Sequence, residues 1–268
     1  MPISLLGMFN AISPGDGRSQ KLAQGVPYGP GGRHKLDIYA PTKTETALPV
    51  IFFVYGGSWN DGDRRNYDFA GRALAALGYV TVIADYRLLP EVEYPAFLDD
   101  CSLAFAWVVD NIARHGGDYT RMALMGHSAG AYNALMLGLS PDHLARRGLM
   151  ANVRCMVGLS GPYDFFPFDG RISLRTFGAV REPRVSQPIN LVTSAAPPTL
   201  LATGGRDNLV LPRNSVALAA KLRHVGVDVS ELHYPRLGHA GPLLALSRPL
   251  RFLAPVLDDV AAFLKRYL

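Results

Sequence analysis

The residue best placed to do chemistry is Ser128, which stands in a Gly-x-Ser-x-Gly pentapeptide that begins at Gly126. An apolar run over residues 122–125 precedes the pentapeptide, and a helical pattern over residues 129–139 follows it. A serine on such a strand-to-helix turn is lifted clear of the backbone, and the helix N-terminus stabilises negative charge that develops beside it. The context therefore predicts a nucleophile at Ser128, although the bare string would also fit an ordinary tight turn.

Backbone N–H groups that could bind a negatively charged oxygen are predicted near this serine. A pair of glycines ending at Gly57 follows a continuous apolar run over residues 50–55. Glycines at the end of a buried strand can expose N–H groups to a cleft, as an acyl-transfer enzyme requires for its oxyanion. The predicted donors are the N–H groups of Gly57, Ser58 and Ala129. Alone, the glycine pair is equally a simple turn, and Ser128 is what favours the oxyanion role.

A serine nucleophile needs a histidine to accept its proton, and the histidines that follow the pentapeptide are His143, His224, His233 and His239. His143 and His224 fall on or beside polar helix surfaces, and His233 alternates within a predicted strand. His239 lies in a loop just after the last predicted strand, where an open parallel sheet binds its ligands. His239 is therefore the predicted base.

The acid that orients the histidine is predicted at Asp207, just past an apolar run over residues 199–203. Asp164 follows the preceding strand and is the alternative. Asp207 is favoured because it comes after a long irregular stretch and next to the final pair of strands. The resulting order Ser, Asp, His along the chain differs from that of the other common Ser-His-Asp enzymes.

These candidate residues all follow strands, and the strands alternate with helices. Apolar runs typical of strands buried on both faces occupy residues 50–55, 80–85, 122–125, 155–159 and 199–203, and further strands are predicted at 34–39 and 227–234. Helical patterns lie between them, at residues 67–77, 97–112, 129–139, 214–225 and 250–267. Such alternation predicts an α/β fold with a mostly parallel central sheet and helices on both faces.

The chain of 268 residues is long enough for one large domain. Residues 1–33 are rich in Gly, Pro and Ser and are predicted to form an N-terminal arm, followed by a single domain over residues 34–268. Within it, residues 161–197 are broken by prolines and interrupt the alternation. We expect this stretch to be a small lid insertion, because long irregular insertions between core strands often cover an active site.

The amino-acid composition restricts the kinds of partner that the protein is expected to bind. Hydrophobic residues make up 49% and charged residues 18%, which is ordinary for a globular enzyme. The net charge of +5 is scattered, so no nucleic-acid partner is expected. Neither a membrane span nor a secretory signal is recognisable, which predicts a cytoplasmic protein. The apolar residues 250–257 are compatible with a homodimer, and core packing explains them equally well.

Taken together, the motifs resemble the α/β-hydrolase superfamily, and within it the bacterial carboxylesterases similar to hormone-sensitive lipase and kynurenine formamidase. The resemblance covers about residues 34–268 and rests on Tyr55-Gly56-Gly57-Ser58-Trp59, Asp85-Tyr86-Arg87-Leu88, Tyr94-Pro95-Ala96, the Ser128 pentapeptide, Asp207 and Gly238-His239. It implies the α/β-hydrolase fold. The family usually carries His-Gly-Gly-Gly or His-Gly-Gly-x-Trp. Here Tyr55 replaces the histidine and Ser58 the third glycine, so the backbone donors remain while the histidine that normally braces the loop is lost.

The predicted activity is hydrolysis of small, short-acyl carboxylic esters by a serine carboxylesterase that needs no metal and no organic cofactor. Aromatic candidates for an apolar substrate pocket, each equally explained by core or lid packing, are Trp59, Tyr86, Tyr132, Phe165 and Phe166. Two alternatives stay open. An aryl formamidase or related amidase would use the same catalytic residues. A non-catalytic binding protein on this fold is disfavoured by the complete set of Ser, Asp and His.

Overall fold

The computed structural model describes residues 5–44 and 46–268, and its centre is one eight-stranded sheet. The strands are β1 (Ser19–Pro27), β2 (Lys35–Pro41), β3 (Leu48–Val54), β4 (Val80–Ala84), β5 (Gly117–His127), β6 (Val153–Leu159), β7 (Thr199–Gly204) and β8 (Val229–Tyr234). Their spatial order is β1-β2-β4-β3-β5-β6-β7-β8. β2 runs antiparallel to β1 and β4, and every pairing from β4 to β8 is parallel. The predicted mostly parallel sheet is confirmed.

Most helices lie between strands along the chain, while α1 precedes β1 and both α7 and α8 follow β8. They are α1 (Leu5–Ile12), α2 (Asp68–Ala76), α3 (Ala96–Asn111), α4 (Ala129–Leu139), α5 (Arg171–Phe177), α6 (Arg213–His224), α7 (Gly241–Leu244) and α8 (Val256–Tyr267). The prediction of one helix over residues 250–267 was wrong at its start. Residues 248–253 form a separate 3-10 turn, and α8 begins only after Pro255, whose missing N–H and fixed φ suit a helix boundary.

The core lies along the central parallel strands, which carry continuous apolar runs because helices cover both faces of the sheet. All five residues of β4 are buried, and so are all eleven residues of α4, which packs against β5 and β6. The alanines and glycines of α4 allow the helix to lie close to β6. A Cβ on Gly138 would lie 2.3 Å from the sulfur of Met156 in that strand. This packing fixes the start of α4 at the carboxyl edge of the sheet.

The N-terminal stretch is built differently from the predicted arm over residues 1–33, of which residues 1–4 lie outside the described part. β1 is the first strand of the sheet and pairs along β2, with register shifts on either side of Ala23. α1 packs beside the 3-10 turn at Arg64–Tyr67, and Phe9 meets Phe69 edge to face at 5.3 Å. The sheet therefore begins inside the stretch that the sequence assigned to an arm.

The irregular stretch between β6 and β7 holds α5 and two 3-10 turns, Pro183–Ser186 and Pro188–Leu191, and no strand among its described residues. It leaves the carboxyl end of β6 at the same edge of the sheet as the start of α4. Part of the predicted lid insertion at residues 161–197 is therefore positioned beside Ser128. In residues 5–44 and 46–268, no helix combines the length and the apolar character needed to cross a membrane.

Candidate active site

Ser128 occupies a strained turn between β5 and α4, with φ of +56°. A non-glycine residue in this region costs energy and persists only where its surroundings enforce it. The flanking glycines make the turn possible: a Cβ on Gly130 would lie 2.0 Å from the carbonyl oxygen of Val54, and one on Gly126 would lie 2.2 Å from that of Gly130. The N–H of Ser128 donates to the carbonyl of Leu159 at 2.8 Å. The backbone thus holds the hydroxyl at the carboxyl edge of the sheet.

Ser128, His239 and Asp207 form a continuous chain of hydrogen bonds. Nε2 of His239 lies 2.8 Å from Oγ of Ser128, and Nδ1 of the same ring lies 2.8 Å from Oδ2 of Asp207. The loops after β7 and β8 are joined by the N–H of Arg206, which donates to the carbonyl of Leu237 at 2.9 Å. The geometry therefore brings together the predicted nucleophile, base and acid.

Asp207 is buried and its carboxylate is fully used. Oδ1 accepts from the N–H groups of Leu209 at 3.0 Å and Val210 at 2.9 Å, which leaves Oδ2 for His239. Burial alone would raise the pKa of Asp207, but the hydrogen bonds from His239 and from the two N–H groups outweigh it and lower the pKa below its ordinary value. The carboxylate is therefore ionised at neutral pH and can stabilise a cationic imidazole.

The alternative acid, Asp164, is placed differently. Its side chain is exposed and forms no ion pair with His239. Its backbone N–H donates to Oδ1 of Asn214 at 2.9 Å. Asp164 is thus a loop residue at the end of β6, and the structure does not bring it to the histidine.

His127 is a neighbour that the sequence did not single out beyond its place in the pentapeptide. Its Nε2 lies 3.1 Å from the carbonyl oxygen of His239, so Nε2 carries the hydrogen and donates. Burial, and to a smaller extent the nearby His239, lower the pKa of His127 to about 3. His127 is therefore neutral at physiological pH and positions the backbone of His239. The sequence alone assigned it no role, and its place immediately before the nucleophile is the signal that could have identified it.

The predicted oxyanion donors lie on two sides of Ser128. Ser58 and Trp59 have φ of +52° and +58°, and Gly57 has φ of +133°. A Cβ on Gly57 would lie 2.1 Å from the carbonyl oxygen of Asp61, so this loop requires glycine. Within the described residues, the N–H groups of Gly57, Ser58 and Ala129 find no hydrogen-bond acceptor. They are free to receive a negatively charged oxygen.

Tyr55 supports the loop at Gly57 and Ser58 through hydrogen bonds and ring stacking, in the position where the resemblance leads one to expect a histidine. Its hydroxyl donates to Oδ1 of Asp85 at 2.9 Å and accepts from Nη2 of Arg33 at 2.7 Å. The same Nη2 donates to the carbonyl of Gly62 at 2.8 Å, and the Tyr55 ring stacks on Tyr86 at 5.0 Å. Burial and the adjacent Asp85 raise the pKa of Tyr55, which stays a neutral donor. The loop is therefore supported despite the substitution.

Two clefts meet at Ser128, and both are also lined by Ser58 and Leu209. The first, here called the α1 cleft, has a volume of about 380 Å³, and its walls include Leu5, Leu6 and Phe9 of α1, Leu243 and Leu244 of α7, and His239. The second, the α5 cleft, has a volume of about 460 Å³, and its walls include Trp59, Ala129, Phe165, Val210 and residues 169–173. The α1 cleft was missed because it depends on a helix inside the predicted arm.

The predicted pocket aromatics divide between these walls and the core. Trp59 and Phe165 line the α5 cleft, with their rings stacked at 6.2 Å. Tyr86 and Tyr132 are fully buried core residues and line neither cleft, and Phe166 is 47% exposed on the surface. For Tyr86, Tyr132 and Phe166 the prediction of a pocket role does not hold. A buried and a cleft-lining aromatic look alike in sequence, because the difference depends on tertiary packing.

Comparison with known proteins identifies the family of this chain and its relatives. A model of the BD-FAE family matches residues 36–222. The chain belongs to the BD-FAE family. This member of the BD-FAE family is 32% identical to the esterase LipC of Mycobacterium tuberculosis, over 90% of this chain and 64% of LipC. It is 27% identical to the isoprenylcysteine alpha-carbonyl methylesterase ICME of Arabidopsis thaliana, over 87% of this chain and 59% of that protein. The chain thus spans about 60% of the length of such curated relatives.

Solved structures agree on the fold. A truncated carbohydrate esterase from gut microbiota superimposes with a TM-score of 0.81 at 23% identity, covering 95% of this chain and 98% of that one. A thermostable esterase from Pseudomonas putida superimposes with a TM-score of 0.79 at 24% identity, covering 99% and 89% of the two chains. The α/β-hydrolase fold of this BD-FAE member and its resemblance to the esterases of that superfamily are confirmed. Among the described residues, no three His, Cys, Asp or Glu side chains cluster as metal ligands would.

Proposed function

We propose that the protein is a serine carboxylesterase that hydrolyses short-acyl esters through an acyl-enzyme. The observation that carries the proposal is the chain of hydrogen bonds from Asp207 through His239 to Ser128, with 2.8 Å at each step. Such a chain supplies a nucleophile, its base and the group that orients the base. The family, together with the esterase names of the relatives, favours a carboxylic ester as the bond that is cleaved.

In the acylation step, Oγ of Ser128 attacks the ester carbonyl while Nε2 of His239 takes the hydroxyl proton. Asp207, already ionised, stabilises the imidazolium that forms. The proton on Nε2 then passes to the leaving oxygen, and the alcohol departs. Because Oδ1 of Asp207 is held by two backbone N–H groups, the carboxylate keeps Nδ1 of His239 protonated and Nε2 free to accept.

The tetrahedral intermediate carries its negative charge on the former carbonyl oxygen. The N–H groups of Gly57, Ser58 and Ala129 are the proposed donors to it, and the N-terminus of α4 adds a favourable dipole. Water then attacks the acyl-enzyme with His239 again as base, which frees the acid and restores Ser128. The strained loop at Gly57 and Ser58 holds these donors fixed before the reaction, which is the condition under which such donors are most effective.

Short acyl groups are favoured by the α5 cleft. The cleft is apolar next to Ser128, where Trp59 and Phe165 form its walls, but its outer part carries Asp169 and Arg171. A long alkyl chain extending outward would pass these charged side chains, and burying charge against an apolar chain is costly. A short or polar acyl group would end before it reached them.

The test is hydrolysis of p-nitrophenyl esters from acetate to palmitate by the wild type and by Ser128→Ala. We expect activity to peak at short chains and to fall about 10⁴-fold or more in the variant. Ser230→Ala is the matched control, because Ser230 lies near the start of β8, at the opposite edge of the sheet. Full activity in Ser128→Ala would refute the proposal.

A fluorophosphonate probe and a formamide separate the alternatives. Labelling of the wild type but not of Ser128→Ala would demonstrate an activated serine, which a non-catalytic binding protein does not have. Turnover of 4-nitroformanilide above that of p-nitrophenyl acetate would instead favour an amidase using the same residues. The esterase names of the relatives favour the ester.

A further inference from the structure

The two clefts at Ser128 differ in which catalytic group they contain. His239 lines the α1 cleft and not the α5 cleft. The proposed oxyanion donors are divided: Gly57 lines the α1 cleft, Ala129 the α5 cleft, and Ser58 both. In acyl transfer the base returns its proton to the leaving oxygen, so that oxygen must lie within hydrogen-bond reach of Nε2. The alcohol part of an ester is therefore directed toward the α1 cleft, and the acyl part toward the α5 cleft.

The α1 cleft is built for an apolar group. Six of its fourteen described lining residues are five leucines and one phenylalanine, from α1, α7 and the loop after β7. Of the described residues, those that line it include no Asp, Glu, Lys or Arg. Its polar side chains are those of Ser58, Tyr67, His127, Ser128 and His239. The Tyr67 hydroxyl donates to the carbonyl of Gly56 at 3.4 Å, and the other four belong to the catalytic residues or to their immediate neighbours.

The size of the α1 cleft exceeds what a small alcohol needs. A water molecule occupies about 30 Å³ in the liquid, so 380 Å³ has room for a group of roughly a dozen heavy atoms. Methanol or ethanol would leave most of this apolar wall in contact with water. A long or cyclic hydrocarbon would cover it, and Leu6 and Phe9 would close over the group from the α1 side.

We propose that the preferred substrates are esters of a bulky apolar alcohol with a short acid. This inference rests on the proposed esterase function and specifies its substrate class. The large apolar part of the substrate is the leaving group, held between α1 and α7, and the acyl-enzyme that remains on Ser128 is small.

The test compares two isomers, hexyl acetate and ethyl hexanoate, which have the same composition and nearly the same hydrophobicity. Each methylene buried in the transition state raises kcat/KM by about fourfold. The hexyl group has four more methylenes than ethyl, so burying even half of them gives hexyl acetate an advantage of at least about tenfold over ethyl acetate. We expect the same advantage over ethyl hexanoate, measured by proton release at constant pH.

Variants in the cleft check that the preference arises there. Leu244→Trp fills the α1 cleft, and Leu6→Asp, on a half-buried side chain of α1 at the edge of the core, places a charge in its wall. Each should lower the ratio of kcat/KM for hexyl acetate over ethyl acetate by about fivefold or more, since each removes one or two buried methylenes. Val216→Trp, on an exposed side chain of α6, is the control and should keep the wild-type ratio.

The outcomes separate the two proposals. Preference for hexyl acetate that collapses in both cleft variants supports the inference. Equal turnover of the isomers, preference for ethyl hexanoate, or a preference that survives both variants would overturn it and leave the esterase proposal standing. Hydrolysis of neither isomer, together with no fluorophosphonate labelling of Ser128, would overturn both.

Discussion

Replacing Asp207 by asparagine tests the catalytic geometry most directly, because the two side chains have nearly the same shape. Oδ1 of Asp207 is held by the N–H groups of Leu209 and Val210. In Asp207→Asn the amide oxygen keeps that position, and the amide NH₂ then faces Nδ1 of His239. Since two donors cannot pair, Nδ1 must lose its hydrogen and become the acceptor.

The consequence falls on the other nitrogen of the ring. A neutral imidazole with Nδ1 free carries its hydrogen on Nε2, which lies 2.8 Å from Oγ of Ser128. That nitrogen donates to the hydroxyl and cannot remove its proton. Loss of the correct tautomer costs about 10⁴-fold in kcat, which corresponds to about 5 kcal/mol of transition-state stabilisation.

The assay is kcat for p-nitrophenyl acetate hydrolysis, with thermal unfolding to establish that Asp207→Asn is folded. Asp164→Asn makes the same chemical change at an exposed carboxylate after β6 and should leave kcat unchanged. A loss smaller than about tenfold in Asp207→Asn, or about 1.4 kcal/mol, would refute the reasoning. An equal loss in Asp164→Asn would show that the acid had been assigned wrongly.

Three further predictions concern residues that hold the catalytic residues and the nearby loops in position. Tyr55→Phe removes a donor from the buried Asp85 and should lower the free energy of unfolding by about 1–3 kcal/mol; an unchanged urea midpoint would contradict the bracing role. Burial lowers the pKa of His127 to about 3, while an unfolded histidine titrates near 6.5. Below about pH 6.5 the unfolded state therefore binds a proton that the folded state does not, and the stability that neutral His127 contributes declines as the pH falls. Between about pH 7 and pH 5 the wild type should therefore lose about 2 kcal/mol more than His127→Gln in urea unfolding, and parallel losses would refute this. Gly130→Ala places a Cβ 2.0 Å from the carbonyl of Val54 and should abolish soluble expression, so a normal yield would show that the turn can relax.

The parts of the site that could be predicted are those that follow strands. Ser128, Asp207 and His239 each stand just after an apolar run, and parallel strands bring their carboxyl ends to one edge of the sheet. The glycines near Ser128 could be interpreted as marking a tight turn, because such a turn leaves no room for a Cβ. Local signals of this kind need no knowledge of distant packing.

The parts that could not be predicted depend on tertiary contacts. α1 has eight residues, too few to be stable alone, and is held by packing such as that of Phe9 on Phe69. β1 carries the polar residues of an edge strand and two register shifts, so its alternation is obscured. Whether Tyr132 would lie in the core or in a cleft depended on how residues 161–197 pack against α4, and no local pattern specifies that.

The position of α1 also determines where this protein can be extended without harm. Leu5 lines the α1 cleft, so an affinity tag or fusion partner joined directly ahead of α1 would lie beside that cleft. The other end is safer: Arg121 in the first half of β5 donates to the carbonyl of Leu268 at 3.2 Å, whereas Ser128 follows the last residue of that strand. Arg121 and His127 are six residue steps apart along the strand, or about 20 Å at the usual rise per residue. Immobilisation through a linker attached at Leu268 would therefore place the support on the side of the sheet away from Ser128.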